Sequence, residues 1–474
     1  RYLRRNDEAL ALISESLKMD QFNYGCRYEQ YLLTNDGALL NEMKQMLRHC
    51  ADNYNEVALD YQAAGLSDEA NAIWQIAIEE DAANPMTYYY MHRYKDAAEA
   101  DYSYCFPNRL EDIQALENAK LKNPSDAMAP YYLGCLFYAA RQYDLAIENW
   151  ELSSQKAPMF PLVWRNLALA RFNKQGREKE ALGYMQNAFK LDTTDARMLM
   201  ELDQLSKRLH HPHAERLEFL QQYPKLIEKR DDLVLEEITL LNQVGKYIQA
   251  KRKLDAHIFH PWEGGEGKVP AQYQICRVEM AKQNIAEGKY KCAVGLLKQC
   301  LTYPHHLGEG KLYGAQENDF YYLLGVAYDA LGKTDEAKEC WEKAVLGPQE
   351  PAAAMYYNDA KPDKIFYQGM ALRKLGREDE AYGRFYRLIN YGKQHVFEHQ
   401  TMDYFAVSLP DLLIWDDSLD TKNVIHCKYM LALGYCGMGD MKHALKYLAE
   451  VEALDNNHQG AQQLRSFIEL RLLP

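Results

Sequence analysis

The spacing of seven residues constrains this chain more than any other feature: Leu324, Gly325, Tyr328, Gly332, Ala337, Trp341 and Ala344. A leucine–glycine pair and a tyrosine one turn later share one helix face. A glycine then breaks the helix, and alanine, tryptophan and alanine recur at i, i+4 and i+7 on the next. Small residues let two antiparallel helices approach closely, and the large ones fill the holes opposite. One such pair cannot bury its own apolar face, so it must stack on copies of itself.

The copies are present. Val57, Ala58, Tyr61, Gly65, Ala70, Trp74 and Ala77 fit the frame, as do Leu133, Gly134, Phe137, Ala146, Trp150 and Pro158. Trp164, Leu167, Ala168, Ala181, Met185 and Ala188 fit with one residue inserted near Gly176. Weaker copies centre on Leu241–Ala250, Ala281–Ala293, Gly369–Ala381 and Ala432–Ala444. Degenerate pairs are expected over 22–49, 85–123 and 195–222. The pattern resembles the tetratricopeptide (TPR) repeat. That resemblance implies an all-α, right-handed TPR superhelix, an α-solenoid of about twelve helix pairs. Asn6 to Leu10 reads as the second helix of a repeat, so the chain is expected to begin inside one. His458 to Leu473 reads as a further amphipathic helix that caps the stack.

Interruptions divide the array. The second-helix alanines lie 35 residues apart from Ala146 to Ala181 but 43 from Ala250 to Ala293. The next intervals are 44, 44 and 63, ending at Ala444. Each excess falls between one hairpin and the next, where stacking sets equivalent loops side by side. Segments 1–257, 258–423 and 424–474 are therefore expected to be an uninterrupted array, an array with inserted loops, and a terminal repeat with its cap. The first insertion is His260-Pro261-Trp262-Glu263-Gly264-Gly265-Glu266-Gly267-Lys268. The second runs from Pro304 through His305, His306, Glu309 and Lys311 to Asp319. The third includes Tyr356 and Tyr357, and the fourth includes 404–410 and Trp415-Asp416-Asp417. The two Gly-Glu-Gly-Lys loops, followed by Gly314-Ala315-Gln316-Glu317-Asn318-Asp319, resemble a bacterial family of unknown function. In it a β-rich region precedes a TPR array, which would place that region upstream of Arg1.

The loops supply the candidate site. Glu263, Glu266 and Glu309, with His260, His305, His306 and Trp262, could line a sugar cleft or contact a partner. The simpler possibility is that the glutamates cap helix starts and pair with Lys268 and Lys311. Neither loop is a phosphate loop, because Val269 and Leu312 follow the lysines where Ser or Thr is required. His395-Val396-Phe397-Glu398-His399 has an inverted zinc-peptidase spacing without an evident third ligand, and His210-His211-Pro212-His213 reads as a turn. No catalytic residue, metal or cofactor is expected in this chain.

In the TPR frame the fifth residue of each first helix faces the concave groove. Tyr131, Tyr322 and Arg165 hold that position and are candidate binding residues. Arg165 suits a peptide carboxylate and Asn55 could donate a hydrogen bond from a different repeat, but Leu59, Tyr131, Cys135 and Leu169 cannot hold one strongly, which argues against a chaperone-tail adaptor.

A net charge of −13 disfavours nucleic acid, and no stretch reaches the ~18 apolar residues of a membrane helix. Ten scattered cysteines without a C-x-x-C fit a reducing, cytoplasmic setting. The expected role is a scaffold for protein or interdomain contacts, with the upstream part of the same polypeptide as one possible partner. The alternative is a wall of a carbohydrate-active enzyme whose catalytic part lies upstream.

Overall fold

The computed structural model describes residues 1–353, 359–401 and 414–472. Twenty-six α-helices and one 3-10 turn make up its regular structure, and no strand occurs among the described residues. The fold is an α-solenoid of TPR hairpins, as the spacing implies. Tyr356, Tyr357 and 404–410 lie outside the described residues.

The hairpins close as the small–large alternation requires. A Cβ added to Gly325 would lie 2.2 Å from the Trp341 indole, and one on Gly134 would lie 2.3 Å from Trp150. Gly369 has the same relation to Phe385, at 2.4 Å. In each case only glycine lets the second helix's aromatic ring lie against the first helix's backbone. Between the helices, Gly332 takes φ +73°, a left-handed turn that L side chains adopt at a cost.

The chain forms two compact units, 1–175 and 176–474. In the first, the regular hairpins are Ala51–Ala63 with Ser67–Glu79 and Met128–Ala139 with Tyr143–Lys156. Between them the degenerate pair shrinks to Pro85–Tyr90 and Tyr94–Glu99, followed by Leu110–Lys122. Asn84 starts the first of these short helices through reciprocal bonds with Thr87. Trp74 and Tyr90 stack at 5.4 Å and tie the short pair to the preceding hairpin.

The second unit stacks hairpins whose first helices are Ala196–Arg208, Asp231–Gln243, Lys268–Ala286, Asn318–Ala330, Pro362–Lys374 and Leu419–Met438. The last described helix, Gln459–Glu469, does more than cover the end of that stack. It crosses the inner side of the unit, and its environment is part of the site described next. No described helix is long and apolar enough to cross a membrane.

Candidate interaction surfaces

The first two insertions are knitted together by backbone. His257 and His260 gather on Asp231 at the start of its helix. His257 Nε2 lies 2.7 Å from the carboxylate, and the His260 backbone N–H donates to it at 2.7 Å. Burial opposes the Asp231 charge, but those contacts prevail and hold its carboxyl below the ordinary range. One residue earlier, the buried Phe259 donates its N–H to the His306 carbonyl at 2.8 Å. The Gly267 N–H donates to Glu309 Oε2 at 2.8 Å. Gly308, at φ +74°, lies so close to Phe259 that a Cβ there would sit 2.5 Å from its carbonyl oxygen. The glycines of these loops thus permit close loop-to-loop approach.

The candidate residues fall into different roles. Glu309 caps the helix that begins at Lys268, as the simpler possibility holds. Burial pushes its carboxyl above the ordinary range, against the pull of the Gly267 N–H, and the Glu266 charge adds to the rise. Glu263 and Glu266 are exposed, as are His260 and His305. Lys311 pairs with Glu317 at 2.5 Å and donates to the Leu301 carbonyl, so its partner is not a loop glutamate of the Gly-Glu-Gly-Lys type. Lys268 is half-buried at its helix start. His306 is half-buried, its carbonyl taken by Phe259 and its Nε2 buried without a protein partner. Trp262 folds back over Gly265, where a Cβ would meet the indole at 2.3 Å, so it packs on its own loop. The loops instead present Leu312, half exposed, and Tyr313, fully exposed. Ile258 and Leu346, beside neighbouring insertions, are also exposed. The spacing rules could not rank these residues, because they report which positions pack within a hairpin and are silent on loops.

The third and fourth insertions extend the set differently. Lys361 donates its N–H to Gln316 Oε1 at 3.3 Å, linking the third loop to the second. The described end of the fourth, 414–418, packs elsewhere. Trp415 is buried and donates to the Glu201 carbonyl at 2.9 Å, while Asp417 pairs with Arg208 at 2.6 Å. Those two residues therefore meet the helix Ala196–Arg208 of the same unit. Within the inverted zinc spacing, His395 bonds Glu398 and His399 bonds Asp420. The two histidines turn to different carboxylates.

Tyr322 requires a correction. It was expected to line an open groove, yet it is completely buried, because Phe467 of the closing helix lies on it with ring centroids 6.3 Å apart. Phe467 also packs against Phe366 at 6.0 Å and Tyr367 at 5.8 Å. The equivalent inward positions of the other repeats, Leu235, Val278 and Tyr429, are buried too. Tyr429 meets His458 at 4.6 Å. Polar contacts hold the rest of the closing segment. Lys282, buried in a pair with Glu279 at 2.7 Å, donates to the Gln463 carbonyl, and Ser466 donates to Glu279 at 2.6 Å. Gln272 and Gln459 share a bond of 2.7 Å, and Asn457 accepts from Arg216.

In the first unit the inward residues are less enclosed. Tyr131 is half-buried against Phe160 at 4.9 Å, and Arg165 is half-buried with a bond to Asn166. Asn166 reaches Cys135 of the preceding first helix at 3.6 Å, which sets the two first helices side by side. An open hollow of about 930 Å³, lined in part by Arg93, Lys122 and Phe160, lies in this unit and not at the inserted loops.

No family model matches the chain. Among solved structures it is similar to YrrB, described as a TPR protein with an unusual peptide-binding site. The TM-score is 0.27 at 13% identity, over 49% of this chain and 92% of that one. It is also similar to a tetratricopeptide repeat protein from Parabacteroides merdae, with a TM-score of 0.32 at 14% identity over 58% and 92%. A third similarity is to the structure of Naa15/Naa10 bound to HypK-THB, with a TM-score of 0.27 at 12% identity over 98% and 96%.

Proposed function

We propose that this chain is a protein-interaction scaffold that docks a protein, or an upstream domain of the same polypeptide, on the rim made by its first two insertions. The observation that carries the proposal is the fusion of the loops at 259–268 and 305–319 by the Phe259–His306 and Gly267–Glu309 bonds, with Leu312 and Tyr313 projecting into solvent. A rigid backbone platform lowers the ordering cost of binding, and an exposed aromatic is the side chain that most often anchors an interface. His260, Glu263, Glu266, His305 and the exposed Lys311 form the polar surroundings, while the half-buried Trp262, His306, Glu309 and Lys268 shape the platform from within. Tyr131 and Arg165 offer a second, smaller contact surface. The segments 1–257, 258–423 and 424–474 then differ in task, the middle one carrying the rim. A cytoplasmic setting and the narrower bacterial family with a β-rich upstream region belong to the same proposal. A sugar cleft is not favoured, because Glu309 is turned to a backbone donor while Glu263 and Glu266 stand exposed.

The test is affinity capture with the wild-type chain and with the double variant Leu312→Ser/Tyr313→Ser, both checked for helical content. The rim reading expects a partner that wild type captures reproducibly and the variant loses at least tenfold. Equal capture by both would refute it.

A further inference from the structure

We propose that the inner face of the second unit is a helix-binding groove that the chain itself occupies, and that a partner's amphipathic helix takes the place of the segment 456–469. This goes beyond the rim reading, which concerns other residues, and the two can fail separately.

The groove's lining argues for an occupant. The inward positions Leu235, Val278, Tyr322, Phe366 and Tyr429 come from five successive repeats and are all apolar. Uncovered, they would form a continuous apolar strip of the kind that soluble proteins do not leave open. The occupant shows what the groove accepts. Its buried residues are Ala461, Leu464 and Phe467, at steps of three, and its flanks donate amide and hydroxyl groups. A partner helix would need a small residue, a leucine and an aromatic at that spacing, with glutamine or serine between them.

The present occupant is held in a way that permits exchange. It is a single helix of eleven residues, too short to persist alone in water, and only those three side chains are buried. Its first turns meet the groove through side-chain amides, which water or another helix can satisfy equally well. The fit there is incomplete. Asn242 Oδ1 and Gln243 Oε1 are buried without a hydrogen-bond partner, and both border a hollow of about 40 Å³ beneath Gln459.

The experiment uses the full chain and a fluorescent synthetic peptide of residues 456–472. Binding is followed by anisotropy to wild type and to Leu464→Ala/Phe467→Ala, whose own segment docks poorly. The proposal expects the variant chain to bind the wild-type peptide at least tenfold more tightly than wild type does. A peptide carrying Phe467→Ala should bind neither. Hydrogen exchange on the wild-type chain supplies a second measurement. Amides of Gln459–Glu469 should exchange at least a hundredfold faster than those of Leu419–Met438. Equal peptide affinity for both chains would overturn the proposal. So would loss of helical structure throughout the variant, or exchange of the closing helix together with Leu419–Met438, since each would make the segment part of the core.

Discussion

The two units build their inner faces from the same repeat position and enclose it to different degrees. In residues 1–175 that position holds Asn55, Tyr131 and Arg165, a mixture of polar and aromatic groups, and the last two stay half-buried. In residues 176–474 it holds Leu235, Val278, Tyr322, Phe366 and Tyr429, and every one is buried. The hairpins are alike, down to the glycine beneath the aromatic ring at Gly134 and Gly325. What differs is whether the chain provides something to cover the inner face. A TPR groove is therefore a surface or a core according to its lining, and the lining must match its cover.

The largest effect that would sharpen this contrast is expected at Lys282. Its ammonium is fully buried with Glu279, and the position one residue after the small residue is occupied in the first unit by the half-buried Leu169. Lys282→Ala leaves the Glu279 charge buried and unpaired, which costs about 3–5 kcal/mol. The loss is capped at the docking free energy of the closing helix, because release of that helix returns Glu279 to water. Leu169→Ala should cost about 1 kcal/mol or less. Urea unfolding followed by circular dichroism measures both. Equal losses would mean that the two faces are equivalent.

A smaller effect follows from His458. Its side chain accepts the Ala461 N–H at 3.0 Å and so caps the closing helix. Burial holds the imidazole below its ordinary range, Asp455 pulls the other way, and His426 adds to the depression. The unfolded chain then binds a proton at this residue more readily than the folded one. Stability is full above the ordinary histidine value, near ~6.5, and is lost as pH falls through it, by at most about 1.4 kcal/mol per pH unit. Protection factors of the amides in Gln459–Glu469, each corrected for the intrinsic exchange rate at its pH, should fall on acidification, while those of the helix Met128–Ala139 of the first unit stay unchanged. His458→Asn, which keeps a capping acceptor, should flatten the dependence. An equal fall in protection at both places would break the comparison.

How far the sequence carried depended on the range of the interaction. Hairpins were legible because the pairs Gly325–Trp341 and Gly134–Trp150 lie within one repeat, at a spacing that helical geometry dictates. The adjacency of the first two loops was legible for the same reason, since stacking repeats aligns their insertions. The cover over Tyr322 was not, because periodicity reveals that Ala461, Leu464 and Phe467 share a face and says nothing of what that face meets. A signal was nevertheless available. Five consecutive apolar residues at an inward position are inconsistent with an open groove. The reach of Trp415 to Glu201 spans 214 residues and leaves no local trace at all. The packing of the Trp262 ring on Gly265 is likewise a contact within one loop that hairpin spacing does not report.

Hydroxyl-radical footprinting of the intact chain with residue-level mass spectrometry tests most directly whether the second unit's inner face is closed. Tyr131 and Phe160 should be oxidised at least several-fold faster than Tyr322, Phe366 and Phe467. Comparable oxidation of the two sets would show that the second unit's inner face is open, and would contradict the claim that the chain fills its own groove.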